Sequence, residues 1–336
     1  MSSKLRRARN WLIGAVISLV ALVIAVWGVQ PGRFVSVLKQ ANYLFLIPSA
    51  LLLALGLLAR ARSWHVLMGA AVPYRRAFDA LNEGYLLNNV LPLRLGELAR
   101  AYLVSQGSGI SASGALATIV VERLIDIVVS LAGLLGALPF MVSPDLAVNV
   151  AVGVGIALVG VVAVLGLLLF KREAFLRMLQ RLPGRGLWGL SGAADRFLSG
   201  IGSLTSHPVR LLLAAFWSTI AWLTNWLMIW LLLAAFGELA PAVVPFFTSG
   251  VVAFGAALPS SPGAIGVFEL SAVAALLVFG YSREVALGVA ILAHGLVLAL
   301  PGILGAWALA REGQTLRSLA SQAQSFFRKA EDTATT

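Results

Sequence analysis

Apolar residues along this chain gather into long runs near 11–28, 43–59, 115–140, 146–170, 211–236 and 285–310, parted by short polar stretches. A helix needs about 17–25 such residues to cross a hydrocarbon core, and in lipid the backbone of a single segment is satisfied only as a helix. Six full spans are therefore predicted. Two further apolar regions, 77–105 and 243–281, are broken at their centres by "NNVLPLRLGE" and "ALPSSPGAIGVFE". Proline removes a backbone donor and glycine loosens a helix, so a break at membrane depth must be covered by protein or line a wet cavity. Both regions are predicted to be re-entrant helical hairpins. The expected fold is an all-α, polytopic integral membrane bundle.

Basic residues set the expected topology. Lys4, Arg6, Arg7 and Arg9 precede the first run, Arg60, Arg62, Arg75 and Arg76 follow the second, and Arg177, Arg181, Arg185, Arg196 and Arg210 fill 171–210. Under the positive-inside bias these stretches and both termini are cytoplasmic, in the cell membrane, while Arg33 and Lys39 fall outside. No small-residue cleavage site follows the first run, so it is read as an uncleaved span. The expected organisation is a basic N-terminus (1–10), a membrane domain (11–310) with a solvated cytoplasmic connection at 171–210, and a polar tail (311–336).

Composition agrees. The 336 residues are 60% hydrophobic and 12% charged, with mean hydropathy +0.92, far from a soluble domain. The net charge of +11 is what basic cytoplasmic loops give, and nucleic acid is not an expected partner. With no cysteine, disulfides, thiol catalysis and thiolate metal sites are excluded. His65, His207 and His294 lack metal-ligand spacing, and neither metal nor cofactor is expected.

The two interrupted centres resemble each other. Each holds Leu-Pro followed by Gly and then Glu, and they are predicted to enter from opposite faces, as inverted repeats do when broken helices form a midplane binding site. Charges inside apolar segments are costly and find partners or line a pathway. Arg94, Glu97 and Arg100 share one face of the first hairpin; Glu122 and Asp126 share a face of the 115–140 span, with Arg123 spaced to pair with Asp126. Two readings stay open: an ion network that only knits the bundle, or guanidinium donors for an anionic headgroup, with the carboxylates orienting the arginines or contacting a cationic headgroup directly. Asn88 and Asn89 offer amides at the first break. Ser260, Ser261 and the backbone at Gly263 and Gly266 offer donors at the second, where a restarting helix would favour an anion and Glu269 would turn to an arginine. His294 is a lone imidazole, read as packing, or as a group that shuttles protons or bonds a headgroup. Trp222, Trp226 and Trp230 form a stripe read as helix packing.

The segments "RARSWHVLMGAAVPYRRAF", "NNVLPLRLGELARAYLV", "SASGALATIVVERLIDIVV" and "LPSSPGAIGVFE", in this order, resemble the hallmarks of the lysylphosphatidylglycerol synthase transmembrane, or flippase-like domain, family. The resemblance covers roughly 10–310 and implies a lipid-handling membrane protein. In two-part members the membrane half is assigned translocation of the aminoacylated phospholipid that a soluble C-terminal half makes. Here roughly 25 residues follow the last span, too few for such a half, so synthesis of lysyl-lipid is not expected. Ala264 stands where a second glycine is expected. The combined expectation is a non-enzymatic flippase for lipids with an anionic or aminoacylated headgroup. The rivals are a non-catalytic partner of a lipid-modifying enzyme and a membrane-embedded lipid transferase; no nucleotide-binding loop or nucleophile and base pair is visible.

Overall fold

The computed structural model describes residues 3–91, 95–106, 108–137, 197–202, 206–257 and 260–315, with isolated positions between 139 and 195. All regular structure among them is helical. The elements are α1 (Ser3–Val26), α2 (Pro31–Gln40), α3 (Leu46–Met68), α4 (Tyr74–Val90), α5 (Leu95–Ser105), α6 (Ala112–Ala137), α7 (Pro208–Ala235), α8 (Val243–Ala257), α9 (Val267–Val278) and α10 (Arg283–Arg311).

Three stretches, Tyr43–Ala71, Pro208–Ala235 and Arg283–Arg311, are long and apolar enough to cross a membrane, and α1 with α2 forms a pair bent by 81°. At 26 residues α6 is also long enough, but Glu122, Arg123 and Asp126 sit inside it. The predicted span at 146–170 lies outside the described residues apart from isolated positions. Leu19, Leu51, Leu212 and Ile303 face outward and more than half exposed, the surface expected of a bundle whose solvent is lipid. Two details differ from expectation. The second span does not stop at residue 59 but runs on to Met68, carrying Arg60 into the bundle instead of a loop. Part of the 171–210 connection is no solvated loop: residues 197–202 are helical, and Ile201 is buried against Leu67, Ala117 and Val121.

Both interrupted regions are helical hairpins. Glycines let α4 and α5 touch, since a Cβ on Gly96 would overlap the Gly84 carbonyl, the small-residue contact that draws membrane helices together. By length, α4 is about 25 Å, α5 about 16 Å, α8 about 22 Å and α9 about 18 Å, each short of the ~30 Å hydrocarbon core. α4 runs antiparallel to α10: Arg311 pairs with Asp79 at 2.5 Å, Gly305 lies against the Asn82 backbone, and Asn89 Nδ2 donates to the Leu298 carbonyl at 3.1 Å. The second break meets the same level of α10, with Gly263 against the Leu298 side chain. The tips thus converge near the midpoint of α10 from opposite ends, as inverted hairpins must.

Each hairpin organises its own core. Trp64, Leu81, Leu87, Leu103, Ile119 and Leu309 pack around the first; Met228, Leu232, Phe268, Leu276, Val289 and Ala293 pack around the second. The small residues of α3 and α7 join them, with Gly56 against Thr224 and Ala221 and Ser63 Oγ donating to the Ala214 carbonyl at 2.9 Å.

The second tip is a left-handed turn, with φ of 69° at Gly263, 56° at Ala264 and 87° at Gly266. An L-residue pays about 1–2 kcal/mol there, which glycine avoids. Ala264→Gly is therefore expected to leave the thermal unfolding midpoint unchanged or raise it. Gly266→Ala is expected to lower stability by about 1–3 kcal/mol, the usual cost of overpacking, because its Cβ would strike the Ser18 carbonyl of α1. Thermal unfolding of both variants in detergent checks the contrast.

Candidate functional site

The charged residues of α5 and α6 meet, and α3 joins them. Arg100 is 2% exposed and Glu122 1%; Arg100 Nη2 donates to Glu122 Oε2 at 2.7 Å. Arg123 Nε lies 3.1 Å from Glu97 Oε1 and its Nη1 donates to Asp126 Oδ2 at 3.2 Å. Asp126 also takes a short hydrogen bond from Arg60, one of 2.7 Å from Ser218 Oγ and one of 3.3 Å from Trp222 Nε1. Arg60, Arg100 and Arg123 thus face Glu97, Glu122 and Asp126, and the formal charges cancel. In apolar surroundings such balance is needed, because any one charge left alone would cost several kcal/mol.

Not every group is used up. Arg100 Nε and Nη1 and Glu122 Oε1 have no hydrogen-bond partner among the described residues. The Arg100 guanidinium lies 4.6 Å from the centre of the Trp64 ring, a contact that holds a cation without consuming its N–H donors. Beside it is a small cleft of about 10 Å³, lined by Tyr85, Asn88, Glu97, Arg100, Arg123 and the Gly84/Gly96 contact. That is roughly the room one water needs, far below a site enclosing a whole small ligand.

The amides at the first break serve the backbone. Asn88 Oδ1 accepts from Gly96 N–H at 2.8 Å, and Asn89 reaches α10 as described. Arg94 lies outside the described residues.

Around the second break the expectations change. Gly266 N–H donates to Glu269 Oε2 at 2.6 Å, so the N-terminus of α9 is capped by its own carboxylate instead of an incoming anion. Glu269 does not turn to an arginine: its Oε1 lies 2.6 Å from His294 Nδ1. His294 Nε2 is 2.8 Å from the Gly263 carbonyl, and Phe268 stacks on the ring at 4.2 Å. Ser261 N–H donates to Ser18 Oγ at 2.8 Å, and the Ser260 carbonyl faces Gly14. The expected single cavity is thus two centres: an ion network with a cleft at the first hairpin, and a hydrogen-bonded turn at the second.

Sequence reasoning missed several contributors. Arg60 sits beside Arg62 in a stretch that reads as a basic loop. Trp64, Ser218 and Trp222 carry no polar signature of their own. Asp79 and Glu83 did leave a signal, two carboxylates four apart in an apolar segment. They form a lock at the basic end, where Arg76 Nη1 lies 3.4 Å from Glu83 and 2.5 Å from Glu312. Trp222 and Trp226 are buried and Trp230 Nε1 donates to the Ala240 carbonyl at 2.8 Å, so the stripe packs helices, as expected.

Removing one partner of a buried pair strands the other. Arg100→Met alone and Glu122→Leu alone are each expected to cost about 3–5 kcal/mol, whereas the double variant recovers most of that loss. A double-mutant cycle by thermal or denaturant unfolding measures it.

Residues 11–305 match the family described as the lysylphosphatidylglycerol synthase TM region. Among curated relatives, a UPF0104 membrane protein of Methanothermobacter thermautotrophicus is 26% identical over 283 residues, covering 78% of this chain and 81% of the relative. "Glycosyltransferase AglD" of Haloferax volcanii is 22% identical over 306 residues, covering 80% of this chain but only 49% of that protein; the chain spans about half its length. No solved structure matches. With the family match running through nearly all of the described helices, the chain belongs to the lysylphosphatidylglycerol synthase transmembrane-region family of membrane proteins.

Proposed function

We propose that this protein moves a lipid with an anionic headgroup between bilayer leaflets, the headgroup passing through the cleft between the first hairpin and α6 while the tails stay in lipid. The observation that carries this reading is Arg100, 2% exposed yet holding two guanidinium nitrogens without a hydrogen-bond partner among the described residues at a cleft. A buried donor without a partner loses free energy unless something else supplies the acceptor, and a phosphate oxygen matches a guanidinium fork. The described ion network is balanced, so an incoming anion calls for one further cation. Arg94, directly before α5 in sequence, is the sequence neighbour with that charge.

Transport follows from the two hairpins. Their tips meet midway along α10 from opposite ends, so rearranging one tip against the other opens the cleft to one face at a time. The basic end, with Arg62, Arg75, Arg210 and Arg311, is assigned to the cytoplasm of a cell membrane by charge bias, which places both termini there.

A second reading is a non-catalytic membrane unit serving a lipid- or glycolipid-modifying enzyme. It is favoured by the match to about half of a protein named as a glycosyltransferase.

Translocation of labelled phospholipids in proteoliposomes separates the two. Wild type is expected to move anionic lipid at least about tenfold faster than zwitterionic lipid, equivalent to roughly 1.4 kcal/mol of discrimination. The folded Arg100→Met/Glu122→Leu double variant is expected to lose that selectivity. Unchanged selective transport in the double variant would reduce the pair to a structural lock, and no transport by wild type with any lipid would favour the partner reading.

A further inference from the structure

The ring of His294 has an acceptor at each nitrogen: the Glu269 carboxylate at Nδ1, 2.6 Å away, and the Gly263 carbonyl at Nε2, 2.8 Å away. The carbonyl can only accept, so Nε2 must carry a proton. The Nδ1 contact then needs a second one, either on the ring as imidazolium facing carboxylate or on Glu269 as carboxylic acid facing neutral imidazole. Both placements hold the same two protons and the same net charge of zero. Removing one leaves a carboxylate facing a ring lone pair, with a net negative charge in an apolar setting, which membrane interiors tolerate poorly.

Among the described residues neither Glu269 nor His294 pairs with any further charged group. α8 carries no titratable side chain; those of α1, Lys4, Arg6, Arg7 and Arg9, lie about 13 Å or more along the helix from Ser18, and α1 offers the Ser18 hydroxyl to the turn. On α10, Arg283 and Glu284 stand about 15 Å away along the helix and Arg311 about 25 Å. On α4, Asp79 is tied to Arg311, Arg75 lies 4.0 Å from Asp79, and Arg76 and Glu83 are tied to each other. The charges of α3 (Arg60 and Arg62, with His65) and Arg210 of α7 lie toward the basic end, and Arg33 and Lys39 of α2 toward the opposite one.

We propose that His294 and Glu269 form an intramembrane proton-binding site that couples protonation to the position of the second hairpin tip. With the proton bound, the pair latches the turn to α10 through the Gly263 carbonyl and the Gly266 amide. When the proton leaves to water, Nδ1 and the carboxylate repel, the latch opens, and a turn containing three left-handed residues loses the contact that holds it. This deepens the transport reading: a proton gradient, not a nucleotide, supplies the drive. The latch is closed at low pH and opens as pH rises through the titration of the pair.

Two measurements test it, and only one depends on lipid transport. The first is ¹⁵N-histidine NMR of the full chain in nanodiscs, with three histidines to resolve and His294→Gln to assign the signal. One reversible titration of His294 across the pH range in which the chain stays folded, shifted in Glu269→Gln, is expected. A His294 signal that never changes across that range would mean a permanent structural bond and would overturn the proposal. The second is lipid translocation in proteoliposomes with and without an imposed pH gradient, read as a ratio so that each variant is its own control. A ratio of about ten in wild type, falling to about one in His294→Gln and in Glu269→Gln, is expected. A wild-type ratio of one in actively translocating protein overturns the coupling. If wild type moves no lipid, the transport reading fails and the NMR titration alone decides whether the proton site exists.

Discussion

A helix broken inside an apolar bundle must have its freed backbone groups satisfied by the protein itself, and the polar residues at the two hairpin tips answer to that constraint. At the first break Asn88 takes the Gly96 amide and Asn89 supplies a donor to α10. At the second, Ser18 takes the Ser261 amide, Glu269 takes the Gly266 amide, and His294 reaches the Gly263 carbonyl. Side chains that read as headgroup ligands are thereby largely committed. The same commitments tie each tip to a neighbouring helix, which is how two hairpins too short to cross come to meet at one level of α10.

The charges obey a related constraint. Three arginines and three carboxylates from α3, α5 and α6 cancel, so the network can stay in low dielectric without an ion from outside. Such a network fixes geometry more than it adds stability. Its functional interest lies in what cancellation leaves over: the spare donors of Arg100, held in place by Trp64 beside a cleft that two glycines keep narrow.

Three of the six predicted spans, both hairpins and the pairing of Arg123 with Asp126 were legible because each is local: run length, a Leu-Pro break, or a spacing of three. The partner of Glu269 was not, since an arginine is the commoner choice on charge grounds and only the fold brings His294, 25 residues away, to its carboxylate. Arg60 was misread because a helix that ends in arginines looks like one that has left the membrane, and the carboxylate that keeps it inside lies 66 residues on. The short helix α2 escaped notice, although Pro31 at its start and the spacing of Phe34, Val37 and Leu38 announce it. Ala264 was visible as a departure from the family's glycine, but its meaning needed the backbone: it occupies a left-handed position.

The most direct test of the account is where a lipid headgroup touches this chain. A phospholipid bearing a photoreactive group on its headgroup, incorporated into proteoliposomes with the wild-type protein and mapped by peptide sequencing, should label residues 81–100 and 119–126 around Arg100. Labelling confined to the lipid-facing exterior, such as residues 16–24 of α1, would contradict a headgroup path through the cleft.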